Sequence, residues 1–366
     1  MGQGADLLNL QRSKKSSVGL DLGHHKLKAV EMESTPSGWK VVRSASVPTP
    51  PDAIRDGVVV DTAGVTAALK QLFKEARFNA PKVQIAAAGG AVFVRPVAFP
   101  KMNESTLRKT IRFEASRYVP GSIEDSFVDF SVVGPAEDDH MNVLVVAAPK
   151  EIVSTRVNVT EAAGVEVEAV DVEAFAMFRA ILETNQSEEG ALTTAIVDIG
   201  ASSTSVSVVH QGQFAMNRSI PYGGTVLTEA LKAYFKLSIE DAEEGKAQLN
   251  LEDLLGGDGP KENPPLRVVQ PHVDDLVREV RRSLNYFQSQ SGEGQGGRKV
   301  EAIVLSGGGA KLAGIESYFS HKLGLPVTLF GIYDNPRVLS SETEHDKGLD
   351  FAVAGGLAMR TNFKAA

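Results

Sequence analysis

Two short apolar segments each end in Asp-x-Gly. Residues 18–23 read V-G-L-D-L-G and residues 195–200 read A-I-V-D-I-G. An Asp at a strand end, next to a glycine that frees the backbone, suits a metal-linked phosphate. The carboxylate can hold Mg²⁺ or its waters, and bare N–H groups can face phosphate oxygens. Asp21 and Asp198 lie 177 positions apart, so two such hairpins could clamp a nucleotide from opposite sides. In the first hairpin, D-L-G-H-H-K-L-K, the N–H groups of Gly23, His24 and His25 would face phosphates and Lys28 would add positive charge. In the second, D-I-G-A-S-S-T-S, Gly200, Ala201, Ser202 and Ser203 leave the backbone open and supply hydroxyls. His24 and His25 have no further His, Asp or Glu at ligand spacing, so an exposed pair is expected rather than a metal site.

Glycine-rich turns extend the pattern. Ser306-Gly307-Gly308-Gly309 follows a strand-like run and precedes a helix, where backbone can approach a flat ligand or a phosphate. Gly223-Gly224 is a shorter version of the same feature. The Walker pattern, a G-x-G-x-x-G after a first strand and a G-x-S-x-G elbow are all absent, which sets aside P-loop, Rossmann and serine-hydrolase chemistry.

The elements that must position these residues follow from periodicity. Strands are expected at 17–22, 26–32 and 39–47, a helix near 62–77, and strands at 83–88 and 91–98. A helix near 103–118 and a strand at 126–133 form an apparent insertion. In the second half, strands at 194–199, 203–209 and 213–220 repeat the opening plan, followed by helices near 225–236 and 239–248. A second repeat pairs 143–149, a helix, Gly164 and 165–170 with 302–309, a helix, Gly324 and 326–330, at a constant offset of 160. Two repeats predict duplicated α/β domains facing each other across a cleft. The expected division is a leader at 1–16, a first domain at 17–90 and 142–185, an insertion at 91–141 and a second domain at 190–362. Mobile loops are expected at 255–271 and 289–298, with an amphipathic helix between them.

Composition narrows the function classes. The chain has 366 residues, a net charge of −8 and no cysteine. The acidic balance argues against nucleic acid as a partner, and the lack of cysteine excludes disulfides and thiolate metal sites. No apolar run reaches the roughly 20 residues needed to cross a bilayer, and no signal-peptide core opens the chain.

In order along the chain, the two Asp-x-Gly hairpins, the Gly-Gly turn, an A-E-x-x-K helix (Ala242, Glu243, Lys246) and the Gly-Gly-Gly turn resemble the actin-like ATPase superfamily. Within it, the chain is similar to the type IV pilus assembly family PilM. The resemblance rests on G-L-D-L-G…L-K-A-V-E (19–31), R-P-V-A-F-P (95–100), F-E-A-S-R-Y-V-P (113–120), V-D-V-E-A-F-A (170–176), I-P-Y-G-G-T (220–225), R-E-V-R-R-S-L-N-Y-F (278–287) and L-S-G-G-G-A-K-L-A-G-I (305–315). It spans roughly 17–362.

The resemblance implies duplicated actin-like (ribonuclease H-like) domains around a nucleotide cleft, with an FtsA-like inserted subdomain. It implies ATP and Mg²⁺ as ligands. Asp21, Gly23, His24, His25 and Lys28 would lie on one phosphate hairpin, and Asp198, Gly200, Ala201, Ser202 and Ser203 on the other. Asp21 and Asp198 would hold Mg²⁺ through water. Gly223, Gly224, Glu243, Lys246, Gly307, Gly308 and Gly309 would surround the adenosine. Family members usually carry small residues, often Ser, where this chain has His24 and His25; the imidazoles could crowd the phosphates or add positive charge. Glu173, opening an expected helix, is a weak candidate for positioning water, since a Glu at a helix N-terminus is commonly just a helix-dipole partner. The implied partner is the N-terminal cytoplasmic tail of a PilN-type inner-membrane protein, with pilus motor ATPases, the platform protein and a homo-oligomer or ring as further implied contacts. The implied location is cytoplasmic, peripheral at the inner membrane. The resemblance leaves open two other functions: a small-molecule kinase of the same superfamily, and an FtsA-like filament protein.

Overall fold

The computed structural model describes residues 16–79, 82–135, 139–182, 192–256, 263–290, 298–340 and 347–362. The expected leader, apart from Ser16, and residues 257–262 and 291–297 of the two expected loops lie outside the described residues.

The chain opens with the antiparallel meander β1 (Ser16–Leu22), β2 (Lys26–Thr35) and β3 (Gly38–Pro48). Val18, Leu20, Leu22, Leu27 and Ala29 are almost completely buried, because helices cover the sheet. A short hairpin, β4 (Ile54–Arg55) and β5 (Val58–Val59), leads to α1 (Thr62–Ala76). The Asp61 side chain caps α1 by accepting from Gly64 N at 2.9 Å. The chain then runs through β6 (Lys82–Ala87), parallel to β1.

An excursion follows: β7 (Phe93–Pro100), α2 (Glu104–Ala115), β8 (Ser126–Pro135) and β9 (His140–Pro149). These form a separate three-stranded sheet in the order β7-β9-β8. Leu107, Ile111 and Ala115 of α2 pack on Val143, Val145 and Ala147 of β9. The chain returns through α3 (Lys150–Ala162), β10 (Glu166–Val172) and α4 (Glu173–Leu182).

The second half repeats the plan with β11 (Thr194–Ile199), β12 (Thr204–His210) and β13 (Gln213–Ile220). The hairpin of α5 (Gly224–Phe235) and α6 (Ile239–Ala247) precedes the long α7 (Pro264–Ser289). Next come β14 (Ala302–Ser306), α8 (Ile315–Leu323), β15 (Val327–Leu329), β16 (Val338–Leu339) and α9 (Ala352–Ala358). The two large sheets run β10-β6-β1-β2-β3-β16 and β15-β14-β11-β12-β13, so the same order occurs twice. The duplicated α/β architecture expected from the repeats is present.

Four sequence expectations need correction. First, the strand at 143–149 belongs to the inserted sheet, so the insertion runs from β7 to the end of β9 rather than ending at 141. The true counterpart of β14 is β6, each parallel to the first strand of its sheet. The later half of the 160-residue repeat holds, with α3, Gly164 and β10 matching α8, Gly324 and β15. Second, residues 332–362 do not all stay with the second domain: β16 extends the first sheet, and α9 packs on β1, β2 and β6. Third, α7 begins at Pro264, inside the expected loop 255–271. Proline is favourable in the first helical turn, Asn263 caps the helix, and burial of Leu266 and Val269 offsets Pro271 within it. Fourth, α2 ends at Ala115, before Pro120.

α9 reads A-V-A-G-G-L-A and is buried throughout. It approaches β1 so closely that a Cβ on Gly19 would fall 1.9 Å from the Ala354 carbonyl oxygen and 2.6 Å from the Ala358 nitrogen. Gly19→Ala should therefore cost about 2–3 kcal/mol of stability by forcing α9 off the sheet. Urea unfolding checks this, and a midpoint equal to the parent's would contradict the close packing.

Candidate functional site

The two sheets face each other across a cleft of about 430 Å³. The first hairpin enters from one wall. Its register sets Asp21 directly opposite Lys28, and the Lys28 ammonium meets Asp21 Oδ2 at 2.7 Å. Lys28 also donates to the Asp350 carbonyl at 2.9 Å, tying the hairpin to the chain just before α9. The turn is held from behind by Thr49, whose hydroxyl donates to the Gly23 carbonyl at 2.7 Å and whose N–H donates to the His25 carbonyl at 3.0 Å.

The second hairpin enters from the opposite wall, with Asp198 opposite Ser205. Its turn closes through Gly200 N–H to the Ser203 carbonyl at 2.9 Å. The N-terminus of α5 docks onto that turn: Gly224 and Thr225 donate to the Gly200 and Ala201 carbonyls, each at 2.9 Å. Gly307 sits beneath Asp198 at φ +88°, and a Cβ there would lie 2.3 Å from Asp198 Oδ1. No other residue fits that position with Asp198 in place.

Behind these hairpins α6 supplies Glu243 and Lys246. Their side chains pair at 2.8 Å; Lys246 also donates to the Thr228 hydroxyl at 2.8 Å, and Thr228 donates to Glu243. On the far side Lys311 pairs with Asp350 at 2.8 Å.

The expected phosphate, magnesium and adenosine residues and Glu173 all line this cleft except Gly223, the N-cap of α5. His24 departs from the expected exposed pair: it is half-buried, while His25 is exposed. The structure adds residues the motifs did not mark, chiefly Lys26, Ala88, Gly89, Ser205, Lys311, Leu312 and Asp350. Lys26 had a signal, since it shares a strand face with Lys28. Asp350 and the Ala88-Gly89 turn had none, because tertiary packing alone brings them in.

The electrostatics are those of an acidic floor. Asp21, Glu173 and Asp198 converge on the cleft. Burial pushes the Asp198 carboxyl up to about 6, with Asp21 adding to the shift against the pull of Lys28. Burial, then Asp21, pushes Glu173 up to about 8, and Arg156 acts in the opposite direction. Burial alone would lower the Lys28 ammonium, but Asp21, Asp350 and Asp198 outweigh it and raise it above its usual value. Both histidines sit below the ordinary imidazole value. Burial and then Arg156 lower His24; burial, then Lys26, Lys246 and Lys28, lower His25.

Arg156 is completely buried on α3. It donates to the Gly57 carbonyl at 2.8 Å and the Ala86 carbonyl at 3.1 Å, bracing the strand end that leads to Gly89.

The donor set fits a magnesium nucleotide. Asp21 and Asp198 set hard carboxylate oxygens from opposite walls into the cleft, donors that suit a divalent cation, while Glu173, pushed up to about 8, stays protonated at pH 7. Among the described residues no three His, Asp or Glu side chains converge tightly enough to hold a metal ion by themselves. Phosphate oxygens and water would have to complete the shell, with Asp21 and Asp198 as the acidic partners. The two hairpin turns and the Gly307–Gly309 turn line the cleft, where phosphates would lie against their backbone.

The duplicated sheets, the opposed hairpins and the inserted subdomain define the actin-like ATPase fold. A family model described as "Type IV pilus assembly protein PilM" matches residues 19–362. The chain belongs to that family. It is similar to the solved structure of a PilM–PilN type IV pilus biogenesis complex, with 30% identity over 94% of this chain and 98% of that one and a TM-score of 0.80. It is 24% identical to the cell division protein FtsA of Pseudomonas aeruginosa over 88% of this chain and 86% of that protein. The match to Bacillus subtilis FtsA, at 25% identity, takes in 63% of this chain and only 57% of that protein's length.

The raised Asp198 pKa has a stability consequence. A carboxyl whose folded value stands above its unfolded value costs stability as pH rises past the unfolded value, and the full cost is reached above the folded one. Asp198→Asn should therefore stabilise the ligand-free protein by about 1–3 kcal/mol above pH 6, allowing for water in the cleft, with the gain fading towards pH 4. Thermal unfolding across pH 4–8 reads this. A gain independent of pH, or a loss at pH 8, would contradict the acidic-floor account.

Proposed function

We propose that this chain is an ATP-binding scaffold of the type IV pilus machine. The observation that carries the reading is the meeting of two Asp-x-Gly hairpins, 177 residues apart in sequence, across one cleft. Asp21, Gly23, His24, His25 and Lys28 serve one side of the phosphates. Asp198, Gly200, Ala201, Ser202 and Ser203 serve the other. Gly223, Gly224, Glu243, Lys246 and Gly307–Gly309 enclose the nucleoside. Mg²⁺, held through water by Asp21 and Asp198, neutralises the acidic floor and the phosphates together. Glu173 is the group placed to orient a water, and turnover is at most slow.

The partner in this reading is the N-terminal cytoplasmic tail of a PilN-type inner-membrane protein. The similarity to a PilM–PilN complex supports it. The inserted subdomain offers apolar surface for such a segment: Phe113 is 68% exposed and Phe127 50%. No helix among the described residues is long and apolar enough to cross a membrane. The chain would act in the cytoplasm, peripheral at the inner membrane through its partner, and link the periplasmic alignment complex to the motor ATPases and platform protein. ATP favours the closed cleft and thereby biases the partner-binding shape, a population shift set by its differential affinity for the two states.

Two measurements test this. Asp198→Ala should raise the Kd for Mg-ATP at least about tenfold, or ~1.4 kcal/mol; unchanged affinity would remove the site assignment. A synthetic peptide from the N-terminal tail of the PilN-type protein should bind the parent protein, with an affinity that changes when Mg-ATP is added. Failure to bind in either condition would overturn the adaptor reading.

A further inference from the structure

The nucleotide cleft and the inserted subdomain are joined by an interdomain contact that has a definite geometry. β13 belongs to the second domain and β7 to the insertion, and the two run side by side. At the cleft end, β13 leads through Ile220 to Gly223 and Gly224, where α5 docks onto the second hairpin. At the same end, β7 is preceded by Ala88 and Gly89, which line the cleft, and by Gly90, whose position faces Ser219 of β13. β7 thus starts from a cleft-wall turn of the first domain, and β13 ends at a cleft-wall turn of the second.

Away from the cleft the strands meet at Phe214. This ring comes from the second domain and is only 8% exposed. It packs among Val92, Val94 and Ala148 of the insertion segment and Ile152, Val172 and Ala174 of the first domain. Phe175 of α4 meets it edge-on, with centroids 5.2 Å apart. Arg95 of β7 donates to the Tyr286 hydroxyl of α7 at 2.7 Å, a second bridge between insertion and second domain. A ring embedded in three structural units cannot follow one of them without displacing or dragging the others, because packed interiors deform in discrete steps rather than continuously.

We propose that Phe214, with the Arg95–Tyr286 bridge, couples closure of the nucleotide cleft to the orientation of the inserted subdomain. The inference rests on the nucleotide-driven closure proposed above and supplies its mechanical route. β13 acts as a lever of eight residues, roughly 26 Å long. One end is set by the second phosphate hairpin and the other by Phe214. When the second domain rotates towards the first, Phe214 carries β7 and the rest of the three-stranded sheet with it.

The test uses the full chain, whose lack of cysteine allows clean spin-labelling. Labels at Lys70→Cys on α1 and Glu240→Cys on α6 report cleft closure. Labels at Lys70→Cys and Lys109→Cys on α2 report the insertion. Distance distributions are recorded by pulsed electron resonance with and without Mg-ATP, whose binding is measured separately. In the parent, both pairs should shift on nucleotide binding. In Phe214→Leu the cleft pair should still shift and the insertion shift should be lost. The surface double variant Arg95→Ala/Tyr286→Phe leaves the apolar junction in place, so it guards against misfolding; its insertion shift should be reduced. An insertion shift of parental size in both variants would overturn the proposal, as would a parent in which the cleft pair moves and the insertion pair does not; neither result touches the nucleotide reading. If nucleotide binds and neither pair moves, closure itself fails and the coupling falls with it.

Discussion

Like charge held in a confined cleft is the constraint on which this architecture turns. Asp21, Glu173 and Asp198 face one another with Lys28 as the ammonium paired directly to one of them. Such a floor costs the ligand-free fold stability, as the raised Asp198 and Glu173 carboxyls indicate. It persists only because the surroundings hold it together. Lys28 is fixed between Asp21 and the Asp350 carbonyl. Gly307 lets the backbone lie under Asp198. Arg156, buried on α3, braces the end of β6 and stands as a nearby positive charge. A cation and a polyanion together would relieve the arrangement better than either alone.

The two-domain frame supplies the opposition of the hairpins. Each sheet places its first hairpin at the cleft by the same order of strands, so a duplicated local solution becomes a two-sided site. The domains are not independent modules. α9 and β16, from the end of the chain, are built into the first sheet's layers after the second domain is complete. Asp350, just before α9, carries both the Lys28 and Lys311 contacts, so the C-terminal return is part of the site as well as of the core.

Much of the site was legible because its signals are local. An alternating apolar strand, an Asp at its end and a small-residue turn are properties of eight consecutive residues, and they recur. Glu173 opening a helix and the A-E-x-x-K pattern on α6 are of the same kind, and both groups reach the cleft. What escaped depends on long-range packing. α9 has seven residues with no charge and no apolar stripe, so nothing in its own sequence marks a helix; burial against β1 and α4 decides it. β9 was assigned to the wrong sheet because it is apolar on both faces. Val143 and Val145 face α2, whereas Leu144 and Val146 pack towards Phe214, and this hides the alternation that marks an antiparallel strand. His24 was expected at the surface because the hairpin turn looks exposed when read without the opposite wall.

The central claim is that the acidic floor is completed by Mg²⁺ and nucleotide together. Calorimetric titration of the parent protein with ATP, in the presence of Mg²⁺ and in the presence of a chelator, tests it most directly. The account predicts saturable binding with Mg²⁺ and a large loss of affinity without it, since ATP alone would bring its negative phosphates against the Asp198 carboxylate with no cation between them. Equal affinity under both conditions, or no binding under either, would contradict it.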